Sequence, residues 1–282
     1  MKNKKVNSIL LCTAFVSFIL FLFSFFSEDG NSVKAVKSAL VNPADGENIH
    51  KIIISSPSEV LTLQKEKKFW TCERGEACAF ADEKNVLNLI KNLVKLRNMY
   101  KISDSIDGRS ELGLVEGSAQ IITVAGSDGH VFSKLYFGSS DALTSRITVA
   151  SERGKACYET EDDFSVFLKT DLNFWSVPEI FFAIKNPSNL TLSPEDLHLL
   201  LSLRHGQFFG FEPVPREAVF EKSVALYGQY DSFQKVDFYS LLQDGEILYL
   251  YTQTVGGEEK LCNAVFEVSR WTFERLNRLL GE

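Results

Sequence analysis

The chain has 282 residues, 45% of them hydrophobic and 24% charged, with a formal net charge of −7 at pH 7. That length suffices for one large domain or two smaller ones with a real interior. Ordinary apolar and charged fractions exclude wholesale disorder, the acidic balance argues against a nucleic-acid partner, and five cysteines are too few for a disulfide scaffold.

Residues 6–26 form a charge-free run that holds six of the 23 phenylalanines. A helix of that length crosses a hydrocarbon core of about 30 Å at about 1.5 Å per residue. Lys2, Lys4 and Lys5 precede the run, and Glu28 and Asp29 follow it. The positive-inside rule then leaves residues 1–5 as a cytoplasmic tip and puts the rest of the chain outside. A cleaved signal peptide is the main alternative. The exit Phe23-Ser24-Phe25-Phe26-Ser27, however, lacks small residues at both cleavage-defining positions. A lipoprotein anchored at Cys12 would meet the bulky Leu11 just before it. The expectation is a single-pass membrane protein, touching lipid through residues 6–26, with an acidic extracytoplasmic part. Residues 27–48, with Asn42-Pro43 and Asp45-Gly46 as breakers, read as a tether.

From residue 49 the pattern is α+β. Residues 51–55 and 60–64 are predicted as paired strands, with 68–72 continuing the sheet and a turn at 73–76. Asp82 is a predicted N-cap for a helix reaching Tyr100, since Val86, Leu89, Ile90, Leu93 and Leu96 fall on one face. Strands follow at 120–125, 130–137, 146–150 and 156–160. Asp128-Gly129 gives a two-residue hairpin signal between the first two. A short helix over 162–169 completes a first lobe, residues 49–178.

A second lobe, residues 179–282, repeats the plan. Phe132-Ser133-Lys134-Leu135-Tyr136-Phe137 and Phe233-Gln234-Lys235-Val236-Asp237-Phe238 share the pattern F-x-K-h-x-F, each a few residues after a glycine, Gly126 or Gly228. Cys157-Tyr158-Glu159-Thr160 likewise parallels Val265-Phe266-Glu267-Val268. Such self-similarity points to an internal duplication. The second copy is predicted to open with a strand near 180–185, then a helix over 194–203. A type I′ turn at Asp244-Gly245 pairs Leu242 with Ile247 and Leu241 with Leu248, which predicts a central hairpin covered on both faces. The fold class is therefore an N-terminal transmembrane helix followed by two related lobes of antiparallel sheet with packed helices.

The order of landmarks carries a resemblance. A strand pair ends at Trp70, a helix starts at Ala81-Asp82, Glu111-Leu112-Gly113-Leu114 precedes a strand, a Gly-containing hairpin follows, and Tyr158 stands ahead of a helix. This resembles the bacterial domain-of-unknown-function 4340 family, whose members look like membrane-anchored extracytoplasmic partners of ABC transporters of the gliding-motility type. The family's usual Tyr-Gly-Leu with a following Pro is here Leu112-Gly113-Leu114 with Gly117. The likeness covers most of residues 50–175, and the second half more weakly. It implies an architecture and a transport setting, with a transporter permease or another anchored ectodomain as partner, and carries over no catalytic residue.

The chemistry-bearing residues form no known constellation. His50, His130, His198 and His205 have no metalloprotease spacing, and neither a nucleophile elbow nor a P-loop occurs. Glu161-Asp162-Asp163 lack a calcium-loop pattern and suit a helix N-terminus. No catalytic, cofactor or metal site is predicted. Cys72 and Cys78 flank a turn near Gly75, which allows either a cross-hairpin disulfide or buried thiols; a Cys157–Cys262 bridge is a second, separate pairing that stays open. Phe208, Phe209 and Phe211 are candidates for a partner surface, with packing between lobes as the default reading. With that resemblance the functional expectation is a non-catalytic accessory or binding component of an ABC-type transport or motility assembly, anchored in the bacterial inner membrane with its C-terminal part periplasmic. An envelope hydrolase and a purely structural envelope protein are the alternatives.

Overall fold

The computed structural model describes Ser17 and residues 35–281, apart from 141–145, 153, 163, 230–231 and 257–261. Residues 1–5, expected as a cytoplasmic tip, and, except for Ser17, residues 6–26, expected as a membrane anchor, lie outside the described residues. Among those described, no helix is long and apolar enough to cross a membrane.

Among the described residues from Ala35 on, two antiparallel sheets and five short α-helices give an α+β architecture. In chain order the first sheet comprises β1 (Ala35–Ser38), β2 (Lys51–Ser55), β3 (Val60–Lys65), β4 (Trp70–Arg74) and β5 (Ala77–Phe80). After helix α1 (Glu83–Val94) come β6 (Arg97–Ser103), helix α2 (Ile106–Glu111), β7 (Gln120–Ala125), β8 (Val131–Ser140), β9 (Ile147–Ser151) and β10 (Cys157–Thr160). Its spatial order is β1-β6-β10-β9-β8-β7-β2-β3-β4-β5. Helices α3 (Leu172–Trp175) and α4 (Pro194–Leu201) lead to the second sheet: β11 (Phe208–Phe211), β12 (Val219–Tyr227), β13 (Phe233–Gln243), β14 (Glu246–Val255) and β15 (Ala264–Val268). Helix α5 (Arg270–Leu279) ends the described chain. The order there is β11-β15-β14-β13-β12.

Local sequence accounts for most of this. In β2, Ile52 and Ile54 are buried while Lys51, Ile53 and Ser55 are only partly so, the period of two that a sheet demands. Asp82 caps α1 by accepting the Lys84 amide, and Val86, Leu89 and Leu93 face the core. Ser193 and Ser269 cap α4 and α5 in the same way, accepting from Asp196 and Thr272.

The two segments read as repeats lie in similar strand arrangements. Strands β7–β10 and β12–β15 are both four-stranded meanders, and in each the last strand pairs with the strand that precedes the meander, β6 or β11. The two F-x-K-h-x-F segments fall in β8 and β13. Both glycines before them close the same local turn: the Gly126 amide donates to the His130 carbonyl at 2.9 Å, and the Gly228 amide to the Ser232 carbonyl at 2.7 Å.

Several expectations need correction. Of the expected tether 27–48, residues 27–34 lie outside the described residues, and from Ala35 on the chain is docked: β1 pairs with β6, and the amides of Leu40 and Val41 both donate to the Leu93 carbonyl, at 3.1 and 3.0 Å. Helix α1 stops at Val94 instead of reaching Tyr100: residues 97–103 pair on both sides, with β1 and β10, and a doubly paired strand outcompetes six more helical residues. Asp128-Gly129 sits inside a loop of residues 126–130, where the Asp128 side chain accepts the His130 amide, and is not a two-residue hairpin. Asp244-Gly245 is one, with φ of 52° and 83° and the pairs Leu242–Ile247 and Leu241–Leu248.

Residues 180–185 form no strand. Ile180, Phe181 and Ile184 are buried as irregular chain, and the buried Gln234 side chain satisfies the backbone there by accepting the Ala183 amide at 3.0 Å and donating to the Ile180 carbonyl at 2.7 Å. The two halves also share an interior: one cluster runs from Val41 through Leu89, Leu135 and Trp175 to Phe238 and Leu276. The lobes are thus two sheets on one core.

Candidate functional site

A cavity of about 420 Å³ opens where β1 meets the rest of the first sheet. Met99, Leu135 and Val149, from β6, β8 and β9, make its buried apolar part; Val36 and Leu40 come from β1 and the turn after it. Asp104 and Lys155 are exposed and add opposite charges at its mouth, and Asp104 also pairs with Lys101. Strand β9 supplies the wall because Ile147, Thr148, Val149 and Ala150 are all buried, between the main core on one face and Leu114, Tyr136 and Cys157 on the other.

One arginine fixes the rim. Arg109 of α2 donates through Nη1 to the carbonyls of Ser151 and Gly154, at 3.3 and 3.0 Å, and its guanidinium lies 5.0 Å from the Tyr136 ring centre. The planar fork stacks on the aromatic face while its hydrogens hold the loop after β9. An apolar interior with a charged mouth suits an apolar or amphipathic ligand, and the volume lies in the range of small-molecule sites. No family model matches the chain, and no curated protein matches it.

The candidate partner residues separate. Phe208 packs edge-on against Phe266, with centroids 5.9 Å apart, and under the Arg74 guanidinium; Phe209 joins the small core around Leu241, Leu250 and Val265. Of the three only Phe211 is exposed, at 43%. The larger exposed apolar surface lies at the far end of the second sheet. Register places Val219, Leu242 and Ile247 on one face of β12, β13 and β14, with exposures of 62%, 71% and 58%. This is the same face on which Phe273 of α5 stacks on Tyr249 at 4.2 Å, two residues along β14. The hairpin is central as expected, but its tip extends past α5 and is uncovered on that face.

The cysteines also re-sort. In the β4–β5 register Cys72 opposes Ala79 and Cys78 opposes Glu73, so the Cys72 and Cys78 side chains point to opposite faces and no cross-hairpin bridge can join them. The Cys78 Sγ instead lies 3.1 Å from the Sγ of Cys262. Cys157 belongs to a different small core, with Leu114 and Tyr136.

Among the described residues no group of three or more His, Cys, Asp and Glu side chains converges as a metal site. His205 is the most constrained histidine. Its ring lies 4.2 Å from that of Phe266, with Nδ1 2.7 Å from the Gly206 carbonyl and Nε2 3.0 Å from the Val177 carbonyl. Burial holds its pKa below the ordinary imidazole value, outweighing the two carbonyls and the nearby Glu179.

Sequence reading missed the cavity, since its walls come from strands as distant as β1 and β10. The usable signal was the non-alternating, charge-free stretch Ile147-Thr148-Val149-Ala150 in β9, which fits a strand buried on both faces.

Proposed function

We propose that the protein is a membrane-anchored, extracytoplasmic accessory or binding component of an ABC-type transport or motility assembly, acting by contact and ligand handling and without covalent chemistry. The observation that carries this reading is the distance along the chain from residue 26 to β1. Only residues 27–34 separate the charge-free run from a strand that lines the cavity. At about 3.3–3.6 Å per extended residue, that segment reaches ~30 Å at most. With residues 6–26 in the bilayer, the cavity stays close to the outer membrane–water interface, where an apolar or amphipathic ligand leaving a permease would be met.

Three further features support it. Lys2, Lys4 and Lys5 give the charge asymmetry of a cytoplasmic N-terminus. The landmark residues have backbone roles of the punctuating kind: Asp82 caps α1, and Gly113 takes φ 68° between α2 and the buried Leu114. The apolar tip of β13–β14 offers a contact area for a permease or a second anchored ectodomain. Capture of the full-length protein from detergent-solubilised membranes, with partners identified by mass spectrometry, tests the proposal. Recovery of a permease or anchored ectodomain is expected; recovery of neither counts against it.

A further inference from the structure

The two sheets meet along the outer edge of β5, and a single asparagine organises the seam. The Cys78 amide donates to Asn263 Oδ1 at 2.8 Å, the Asn263 amide donates to the Cys78 carbonyl at 3.0 Å, and Asn263 Nδ2 donates to the Glu76 carbonyl at 2.9 Å. The Asn263 side chain thus completes what a neighbouring strand would supply. Cys262, the residue before it, is buried, and its Sγ lies 3.1 Å from that of Cys78. Around the two sulfurs the rings of Phe69, Phe80 and Phe182 contact one another at centroid distances of 5.1 to 5.7 Å. Aromatic rings of this kind pack well against sulfur and exclude water.

We infer that Cys78 and Cys262 are a disulfide-forming pair that staples the second sheet to the edge strand of the first. A bonded separation is about 2.05 Å, so the sulfurs need to approach by only about 1 Å. Both backbones are already held by Asn263, and little chain freedom remains to be lost on closure. Cys72 is excluded by its orientation, with its thiol donating to the Ala79 carbonyl at 3.5 Å, and Cys157 by its place in another core.

The oxidant is a protein or small-molecule disulfide. Cys78, the more exposed of the two, attacks it as thiolate, forming a mixed disulfide and releasing one thiol. Cys262 then loses its proton and displaces the second thiol. In total the pair gives up two protons and two electrons, and the oxidant's disulfide is reduced to two thiols. The hydrogen bond with Cys78 and burial both push the Cys262 thiol up, which makes the closing step slow and the finished bond hard to reach for a reductant. The sulfurs stand 184 residues apart in sequence, so the bond closes a long loop in the unfolded chain.

The oxidising setting rests on the extracytoplasmic reading; the pairing itself does not, and the test separates them. Full-length protein is reduced, incubated in detergent with oxidised glutathione, alkylated, and digested without reduction. The expected product is a Cys78–Cys262 peptide pair two hydrogens lighter than its thiols, absent from Cys262→Ala and from Cys78→Ala. Dithiothreitol should lower the melting midpoint of the oxidised wild-type protein by ~5–10 °C and leave Cys262→Ala unmoved. Alkylation of both residues after oxidation, or a link through Cys72, overturns the inference. The link in vitro with both thiols alkylated on lysis of cells upholds the pair and counts instead against the extracytoplasmic location.

Discussion

The amide of Val41 donates to the carbonyl of Leu93 at 3.0 Å, tying the first described stretch of chain to the last turn of α1. Val41 is itself buried, at 2% exposure. The chain from Ala35 to Val41 therefore belongs to the described fold, and its strand β1 is also a wall of the cavity.

Val41→Asp places a carboxylate in the main core without a partner. It should cost about 2–4 kcal/mol, read as a shift of the urea midpoint at unchanged slope. Residues 35–48 should then become the first site of limited proteolysis. A variant as stable and as protease-resistant as wild type would show that this segment is an undocked tether.

Arg109→Ala removes two hydrogen bonds to partly buried carbonyl groups and a stacked guanidinium. A loss of about 1–3 kcal/mol is expected, with amide exchange rising first in the loop after β9. Lysine at the same position should rescue only part, because it lacks the planar fork. Unchanged exchange in residues 151–156 would remove Arg109 from its role as the fixing point of the cavity rim.

The aromatic candidates and the hairpin tip should respond oppositely. Phe209→Ala empties part of a small core and should cost about 2–4 kcal/mol. Leu242→Lys with Ile247→Lys should stay within about 0.5 kcal/mol of wild type, since both side chains already face water. The same pair of lysines should reduce the amount of partner captured from membranes. Strong destabilisation by the lysine pair would mean that the tip is packed against its own chain.

His205 sets a direction for acid sensitivity. Its folded pKa lies below the unfolded value of about 6.5, so on acidification the unfolded chain takes up this proton first. Stability should fall as pH drops from about 6.5 toward the folded pKa, and this contribution should be flat above about 6.5. Urea midpoints between pH 7.5 and 5 should show a shallower slope for His205→Gln than for the wild-type chain. An equal slope would mean that His205 takes up its proton equally in both states.

Much of the fold was legible because it rests on local rules. The period-two burial of β2, the Asp82 cap and the positive-φ pair Asp244-Gly245 each act within a few residues. The repeated F-x-K-h-x-F segments pointed to the shared meander because both occupy the second strand of a four-stranded meander, in sheets of ten and five strands. What stayed hidden depends on distant partners. Nothing near Tyr100 announces that residues 97–103 will leave the helix, since β1 and β10 decide it. Asp128-Gly129 and Asp244-Gly245 are the same dipeptide in different loops, separated only by the register of the flanking strands. The Cys78–Cys262 contact and the cavity belong to the same class, assembled by pairing across long stretches of sequence.

The reading depends first on residues 6–26 holding the folded part on the outer face of the membrane. Fusion of alkaline phosphatase after residue 282, assayed in cells and followed through alkaline-washed membranes, tests this directly. The account predicts active phosphatase that remains with the washed membrane fraction. Inactive phosphatase, or an active fusion released to the soluble fraction, would contradict it.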